Sequence, residues 1–159
     1  MAHLSGFSQI ITTAQKKHES LLKAHGATHI IDRSQDAKKQ IEEIRSLAPD
    51  LQYAWDAIAS KDTVEVAARS FGPNGGKIVG SLSIDVSQYP GVTGGGIYSN
   101  PNTHAKTATV AWSNLEQAFK KGQIKPLPFK VWGGLAKTAE ALKAVKTASG
   151  EKIIVHPQE

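Results

Sequence analysis

The densest set of chemistry-bearing side chains is the run Thr12-Thr13-Ala14-Gln15-Lys16-Lys17-His18, where two ammonium groups stand beside hydroxyls and an imidazole with no acid before Glu19. Clustered donors of this kind suit a phosphate, whose oxygens accept several charge-assisted hydrogen bonds at once. The other reactive groups do not assemble in the same way. His18 and His25 lie two helical turns apart, too far to share an ion, and no His-Glu-x-x-His occurs. Asp32 and Asp56 fall near strand ends and could ligate a metal, but no compact set of three ligands converges, so no metal is expected. There is no Gly-x-Ser-x-Gly elbow and no Cys, and Glu42-Glu43 are neighbours on a helix that cannot face one another. No self-contained catalytic constellation is present.

The elements that must position the phosphate-binding run alternate. Residues 9–14 are short and β-branched, which predicts a buried strand, and residues 17–25 predict a helix stopped by Gly26. A second strand follows at 28–31, then a helix over 36–48 with Ala37, Ile41, Ile44 and Ala48 on one face. Residues 51–58 predict a third strand covered on both faces. Asp62-Thr-Val-Glu65 has capping-box spacing and opens a helix that Gly72-Pro73 ends, and residues 77–82 predict a fourth strand. Strand and helix in strict alternation imply parallel βαβ units with right-handed crossovers, hence an α/β fold.

Residues 83–103 break the rhythm with Pro90, Pro101 and four Gly, and read as a variable loop. A helix then carries Ala108, Ala111, Leu115, Ala118 and Phe119 inward and stops at Gly122. Residues 124–131 are extended but hold Pro126 and Pro128, which exclude a central strand position. Leu135, Ala139 and Leu142 predict the inner face of the last helix, Gly150 stops it, and residues 152–155 predict a final strand.

The chain has 159 residues, no cysteine and 40% hydrophobic side chains, enough for one packed domain and incompatible with disulfide or thiolate-zinc scaffolds. No apolar run has the length of a membrane span or the layout of a signal peptide, so a cytoplasmic protein with no membrane partner is expected. The net charge of +5 is regional, with nine Lys against three acids in residues 106–152. That segment has no Arg, and a nucleic-acid surface would call for clustered Arg with interleaved aromatics, so a solvated basic face is expected and no nucleic-acid partner.

In dinucleotide-binding sheets the loop after the fold's second strand meets the adenosine ribose, where an acid favours NAD and cations favour the 2′-phosphate of NADP. Residues 12–18 carry the cations. The collinear stretches Ile10-Ile-Thr-Thr-Ala14, Glu19-Ser-Leu-Leu-Lys-Ala-His-Gly-Ala27, His29-Ile-Ile-Asp32, Leu51-Gln-Tyr-Ala-Trp-Asp-Ala-Ile58, Gly75-Gly-Lys-Ile-Val79 and Ser149-Gly-Glu-Lys-Ile-Ile-Val155 resemble the cofactor domain of medium-chain dehydrogenases/reductases. The branch they resemble is the zinc-independent one of quinone-reductase-like and enoyl-reductase-like proteins. The resemblance implies an NADP(H)-binding Rossmann-like domain serving hydride transfer to an activated alkene or carbonyl. It places Gln15, Lys16, Lys17 and His18, with Thr13 beside them, in the 2′-phosphate loop. Family members usually have Ser at the Gln15 position and often Lys or His at that of Lys17. Arg33 stands where the family has a Tyr beside the adenosine, exchanging an aromatic platform for a cation. Ala57 and Ile58 match residues approaching the cofactor, and Val131-Trp132 match a late contact with it.

Departures from the pattern are as informative as the matches. No Gly-x-Gly-x-x-Gly occurs, and residues 1–7 resemble the tail of the helix that follows the family's Gly-rich turn. The strand before that turn is central in the order 3-2-1-4-5-6, so its absence leaves an incomplete sheet with open edges. The expectation is one truncated NADP-binding Rossmann-like domain over 1–159, part of an oxidoreductase and poorly active or inactive alone. The alternative is a non-enzymatic remnant whose edges recruit a second copy or a partner chain.

Overall fold

The computed structural model describes residues 2–98, 100 and 102–158. Ser99 and Pro101 of the expected variable loop, and Met1, lie outside the described residues. β1 (Ile11–Ala14) leads through a 3₁₀ turn at Lys16–His18 into α1 (Glu19–Ala24), and Gly26 turns the chain at φ +100° into β2 (His29–Asp32). α2 (Ala37–Leu47) then crosses to β3 (Tyr53–Asp56), and α3 (Lys61–Ser70) to β4 (Gly76–Gly80). β5 (Val92–Gly96), α4 (Ala105–Lys120), β6 (Phe129–Gly134), α5 (Thr138–Val145) and β7 (Lys152–His156) complete the order. The fold is α/β with parallel sheets and flanking helices, as the alternation predicts.

The strands form three separate parallel ladders: β1-β2, β3-β4-β5 and β6-β7. β1 and β3 do not pair with each other. They are joined instead from one face, where Ile31, Ile44 and Val66 of β2, α2 and α3 pack with Ile11 and Leu51. A second cluster of Val64, Ala68, Phe71 and Ile78 holds α3 on β3 and β4. Ile31 and Ile78 are fully buried, each contributing about 1.5–3 kcal/mol by its removal from water. Asp36 caps α2 by accepting from the Lys39 N–H at 2.9 Å, a bond worth about 1 kcal/mol.

Several expectations are corrected. β3 is covered on one face only: Tyr53 and Trp55 are each 60% exposed, because the helices α2 and α3 lie on the opposite side. The α3 capping box is formed by Ser60 and Thr63, not by Asp62 and Glu65, since Ser60 is the residue with extended backbone and Thr63 can return its hydroxyl to the Ser60 N–H. The segment 83–103 is not wholly loop. Val92–Gly96 joins β4 as a strand, and its glycines permit the approach: a Cβ at Gly94 (φ +143°) would overlap the Ile78 carbonyl. α5 turns a different face inward, with Ala141 buried and Leu142 64% exposed, because small side chains seat it against β7, and Leu135, 61% exposed, lies in the 3₁₀ turn before it. α4 buries no described residue fully; of its predicted inner face Ala108, Leu115 and Ala118 are half-buried, while Ala111 and Phe119 are exposed. β6 carries the extended Pro-flanked segment as one strand of a two-stranded ladder, in keeping with its exclusion from a sheet centre.

Candidate functional site

Parallel strands gather their carboxyl ends along one edge, and the loops that leave those ends are where such sheets bind ligands. At the end of β1, Gln15 adopts extended backbone and starts the 3₁₀ turn that presents Lys16, Lys17 and His18. At the end of β2, the Arg33 N–H donates to the Ala14 carbonyl at 3.0 Å, which locks the two strand ends side by side. Gln15, Lys16, Lys17, His18 and Arg33 are thereby carried on two adjacent loops, with Thr13 in the strand just before the first of them.

The cations there are not equivalent. Lys16 is shared: its ammonium lies 3.4 Å from Glu19 and near enough to Asp32 to help hold that carboxyl below its ordinary range. The larger causes for Asp32 are hydrogen bonds from the Ser34 N–H at 2.9 Å and the Ser34 hydroxyl at 2.8 Å. Glu19 is likewise held low, first by its bond from Lys23 and then by Lys16. The Lys17 and Arg33 side chains make no ion pair among the described residues, and both are exposed. They are the cations left to meet an anion.

His18 has a partner far along the chain. Its Nε2 lies 2.8 Å from the Ser149 hydroxyl, and Gly150 (φ +80°) passes so close that a Cβ there would stand 2.8 Å from the imidazole. This contact ties the β1 loop to the segment entering β7. No local sequence pattern marks Ser149, because the pairing spans 131 residues.

At the end of β3, Asp56 is buried and organises the turn that holds Ala57 and Ile58. Its Oδ1 accepts from the N–H groups of Ile58 at 3.0 Å and Ala59 at 2.9 Å, and Oδ2 accepts from the Thr63 hydroxyl at 2.7 Å. Ala59 is thereby held at φ +57°, a left-handed conformation that costs a non-glycine residue about 1 kcal/mol. Ser81, leaving β4, donates its hydroxyl to the Ala57 carbonyl at 2.7 Å. Asp56 and Asp32, considered as ligands from sequence, are both turn-forming acceptors. Among the described residues no group of three His, Asp or Glu could hold a metal.

Val131 and Trp132 sit on β6, with the Lys130 ammonium 4.8 Å from the centre of the Trp132 ring. They belong to the β6-β7 pair, separate from the ladder that carries Ala57 and Ile58. A cleft of about 360 Å³ opens elsewhere, at the amino end of β2, lined by Glu19, Lys23, His29, Glu42 and Glu43. Its three carboxylates against one ammonium repel a phosphate. No described helix is long and apolar enough to cross a membrane.

No protein-family model matches the sequence. The uncharacterized protein YLR460C of Saccharomyces cerevisiae is 25% identical over 177 aligned residues, which take in 95% of this chain and 46% of that protein. Among solved structures, the CurK enoyl reductase superposes with a TM-score of 0.70 at 18% identity, covering 98% of this chain and 48% of the other. A candidate NADPH:quinone reductase from Bacillus thuringiensis gives 0.65 at 20% identity, covering 94% and 49%. The chain therefore shares its fold with about half of each of these reductase structures, and spans about half the length of these relatives.

Proposed function

We propose that this chain is one incomplete dinucleotide-binding domain that takes the adenosine end of NADP(H) at the carboxyl ends of β1 and β2. The reading belongs to the zinc-independent, enoyl- and quinone-reductase-like branch and to a cytoplasmic setting. The observation that carries it is the pair of adjacent loops bearing Lys17, His18 and Arg33, with no acid at the end of β1 to hold a 2′-hydroxyl. The neighbouring reductase folds support it.

The residues fit one half of the cofactor better than the other. Lys17, His18 and Arg33 supply donors for a 2′-phosphate, with Thr13, Gln15 and Lys16 around them. Ala57, Ile58, Val131 and Trp132 would flank the remainder. The sequence holds no Gly-x-Gly-x-x-Gly, so the backbone N–H cradle that takes a pyrophosphate at a helix N-terminus is not supplied by this chain. When bound, the nicotinamide supplies hydride to a substrate. This chain's own share is to anchor the phosphate and to hold the turn at Ala57–Ile58, so turnover by the chain alone is poor or nil.

Titration with NADPH and NADH, followed through tryptophan fluorescence, tests the reading. NADPH binding at least tenfold tighter than NADH is expected, since one charge-assisted hydrogen bond to the extra phosphate is worth about 1.5–3 kcal/mol. Equal affinities, or no binding of NADPH at millimolar concentration, would refute it.

The unpaired edges of β1 and β3 favour a second reading, a module that associates with itself or with a partner chain through those edges.

A further inference from the structure

We infer that Ser149 is a positioning residue for the anion site at the ends of β1 and β2. Its hydroxyl keeps the proton of the neutral His18 ring on Nδ1, and so makes the imidazole a hydrogen-bond donor to phosphate. The inference rests on the phosphate-binding reading of those two loops, and it adds a residue that lies 131 positions from His18 in sequence.

Both partners stand on backbone that is fixed on either side. His18 closes the 3₁₀ turn, where its N–H donates to the Gln15 carbonyl at 2.9 Å, and its backbone leads directly into α1. Ser149 lies in the short connection between α5 and β7. Before it, the Thr147 and Ala148 N–H groups donate to the Ala144 carbonyl at 3.1 and 3.0 Å. After it, the Lys152 N–H donates to the Pro128 carbonyl at 2.8 Å. Gly150 turns the chain between these anchors at φ +80°, and its lack of a side chain lets the backbone close on the His18 ring and on Leu21 of α1. The seryl oxygen therefore meets Nε2 at 2.8 Å because two anchored backbones bring it there, not because a long side chain reaches for it.

The direction of that bond follows from the chemistry of its two atoms. A neutral imidazole carries one N–H and one lone pair, and the bond made by one nitrogen sets which nitrogen keeps the proton. The lone pair of a ring nitrogen is a stronger acceptor than a hydroxyl oxygen, and the hydroxyl can rotate its hydrogen to meet it. Among the described residues neither the Ser149 hydroxyl nor Nδ1 has another hydrogen bond, so nothing else competes for either. Ser149 donates to Nε2, and the ring's own proton stays on Nδ1. In water the neutral histidine ring prefers the opposite form, so the contact selects the tautomer that is otherwise the minor one. A second proton on the ring is opposed by the ammonium groups of Lys16 and Lys17 in the same turn. Glu19, the acid next in sequence, is already bonded to Lys23 and Lys16.

The consequence for an anion is specific. With Nε2 taken by Ser149, Nδ1 is the nitrogen left for a phosphate oxygen. A lone pair there would repel the oxygen, whereas an N–H donates to it. Lys17 and Arg33 carry their charge whatever the ring does; the imidazole contributes a directed donor only in the form that Ser149 selects. Ser149 acts through His18 and needs no contact with the nucleotide.

The test compares the parent chain with Ser149→Ala and Ser149→Thr, each isotope-labelled in the histidine ring nitrogens. At about pH 8, above the usual range of histidine, NMR should find the His18 proton on Nδ1 in the parent and in Ser149→Thr, and on Nε2 in Ser149→Ala. NADPH affinity should fall about two- to tenfold in Ser149→Ala, the effect of one net hydrogen bond, with NADH unchanged and Ser149→Thr close to the parent. A parent ring with its proton on Nε2, or a tautomer that Ser149→Ala leaves unaltered, overturns the proposal and leaves the phosphate reading standing. A tautomer that switches without any change in NADPH affinity does the same. A parent that fails to prefer NADPH over NADH overturns the phosphate reading itself, and the role of Ser149 with it.

Discussion

Replacing Asp56 by Ala removes one carboxylate that satisfies three donors at once. The side chain is only 7% exposed, and it accepts from Ile58 N–H, Ala59 N–H and the Thr63 hydroxyl at 3.0, 2.9 and 2.7 Å. Net contributions of about 1 kcal/mol per bond, somewhat more because the acceptor is charged, give a loss of roughly 3 kcal/mol. Ala59 loses the bond that holds it at φ +57°, so the turn relaxes and Ala57 and Ile58 leave their positions. For a chain of this size about 2–4 °C of melting temperature accompanies each kcal/mol, so Tm should fall by about 6–12 °C. Asp56→Asn keeps an acceptor at Oδ1 for both backbone N–H groups and should cost about 1 kcal/mol. Urea unfolding followed by circular dichroism, with thermal melts alongside, reads both variants. An Asp56→Ala protein within about 0.5 kcal/mol of the parent would refute the claim that this carboxylate builds the turn.

Lys17→Ala should weaken NADPH about tenfold and leave NADH unchanged, whereas Lys16→Ala, which also frees Glu19 and Asp32 from their shared cation, should cost less; fluorescence titration separates them. Gly150→Ala should destabilise the chain by about 1–2 kcal/mol, because φ +80° disfavours a side chain and the new Cβ would press on the His18 ring; urea unfolding measures the loss, and NMR of the imidazole reports separation from Ser149. Asp32 has a folded pKa below its unfolded value. Its contribution to stability is therefore fully present above the unfolded value and lost as the pH falls through the folded one. The stability difference between parent and Asp32→Asn should accordingly shrink on acidification from neutral pH, as unfolding midpoints across that range will show.

The layered α/β order was legible because each element carries its own period. Residues such as Ile31, Ile44 and Ile78 are apolar at spacings that only one face of a strand or helix satisfies, and all three are buried. Gln15–His18 is contiguous in the sequence, and the bond from the Arg33 N–H to the Ala14 carbonyl sets the end of β2, which carries Arg33, beside that run. What the sequence concealed depends on distant groups. The pairing of His18 with Ser149 leaves no local trace, and neither does the strand at Val92–Gly96, where three glycines suppress β-propensity but allow backbone to approach Ile78. The exposure of Tyr53 and Trp55 was unreadable for the same reason. Their apolar character predicts cover, and the cover is not provided by the described residues. Asp56 was read as a metal ligand candidate because a carboxylate at a strand end does not reveal whether it meets an ion or its own following N–H groups.

The central claim is that the ends of β1 and β2 hold a 2′-phosphate. NMR titration of the labelled chain with adenosine 2′,5′-bisphosphate, against adenosine 5′-monophosphate as control, tests it most directly. Shifts concentrated on Lys16, Lys17, His18 and Arg33 with the bisphosphate, and much weaker ones with the monophosphate, are the predicted result. Equal responses to both ligands, or shifts centred on Glu42 and Glu43 in the acidic cleft, would contradict the account.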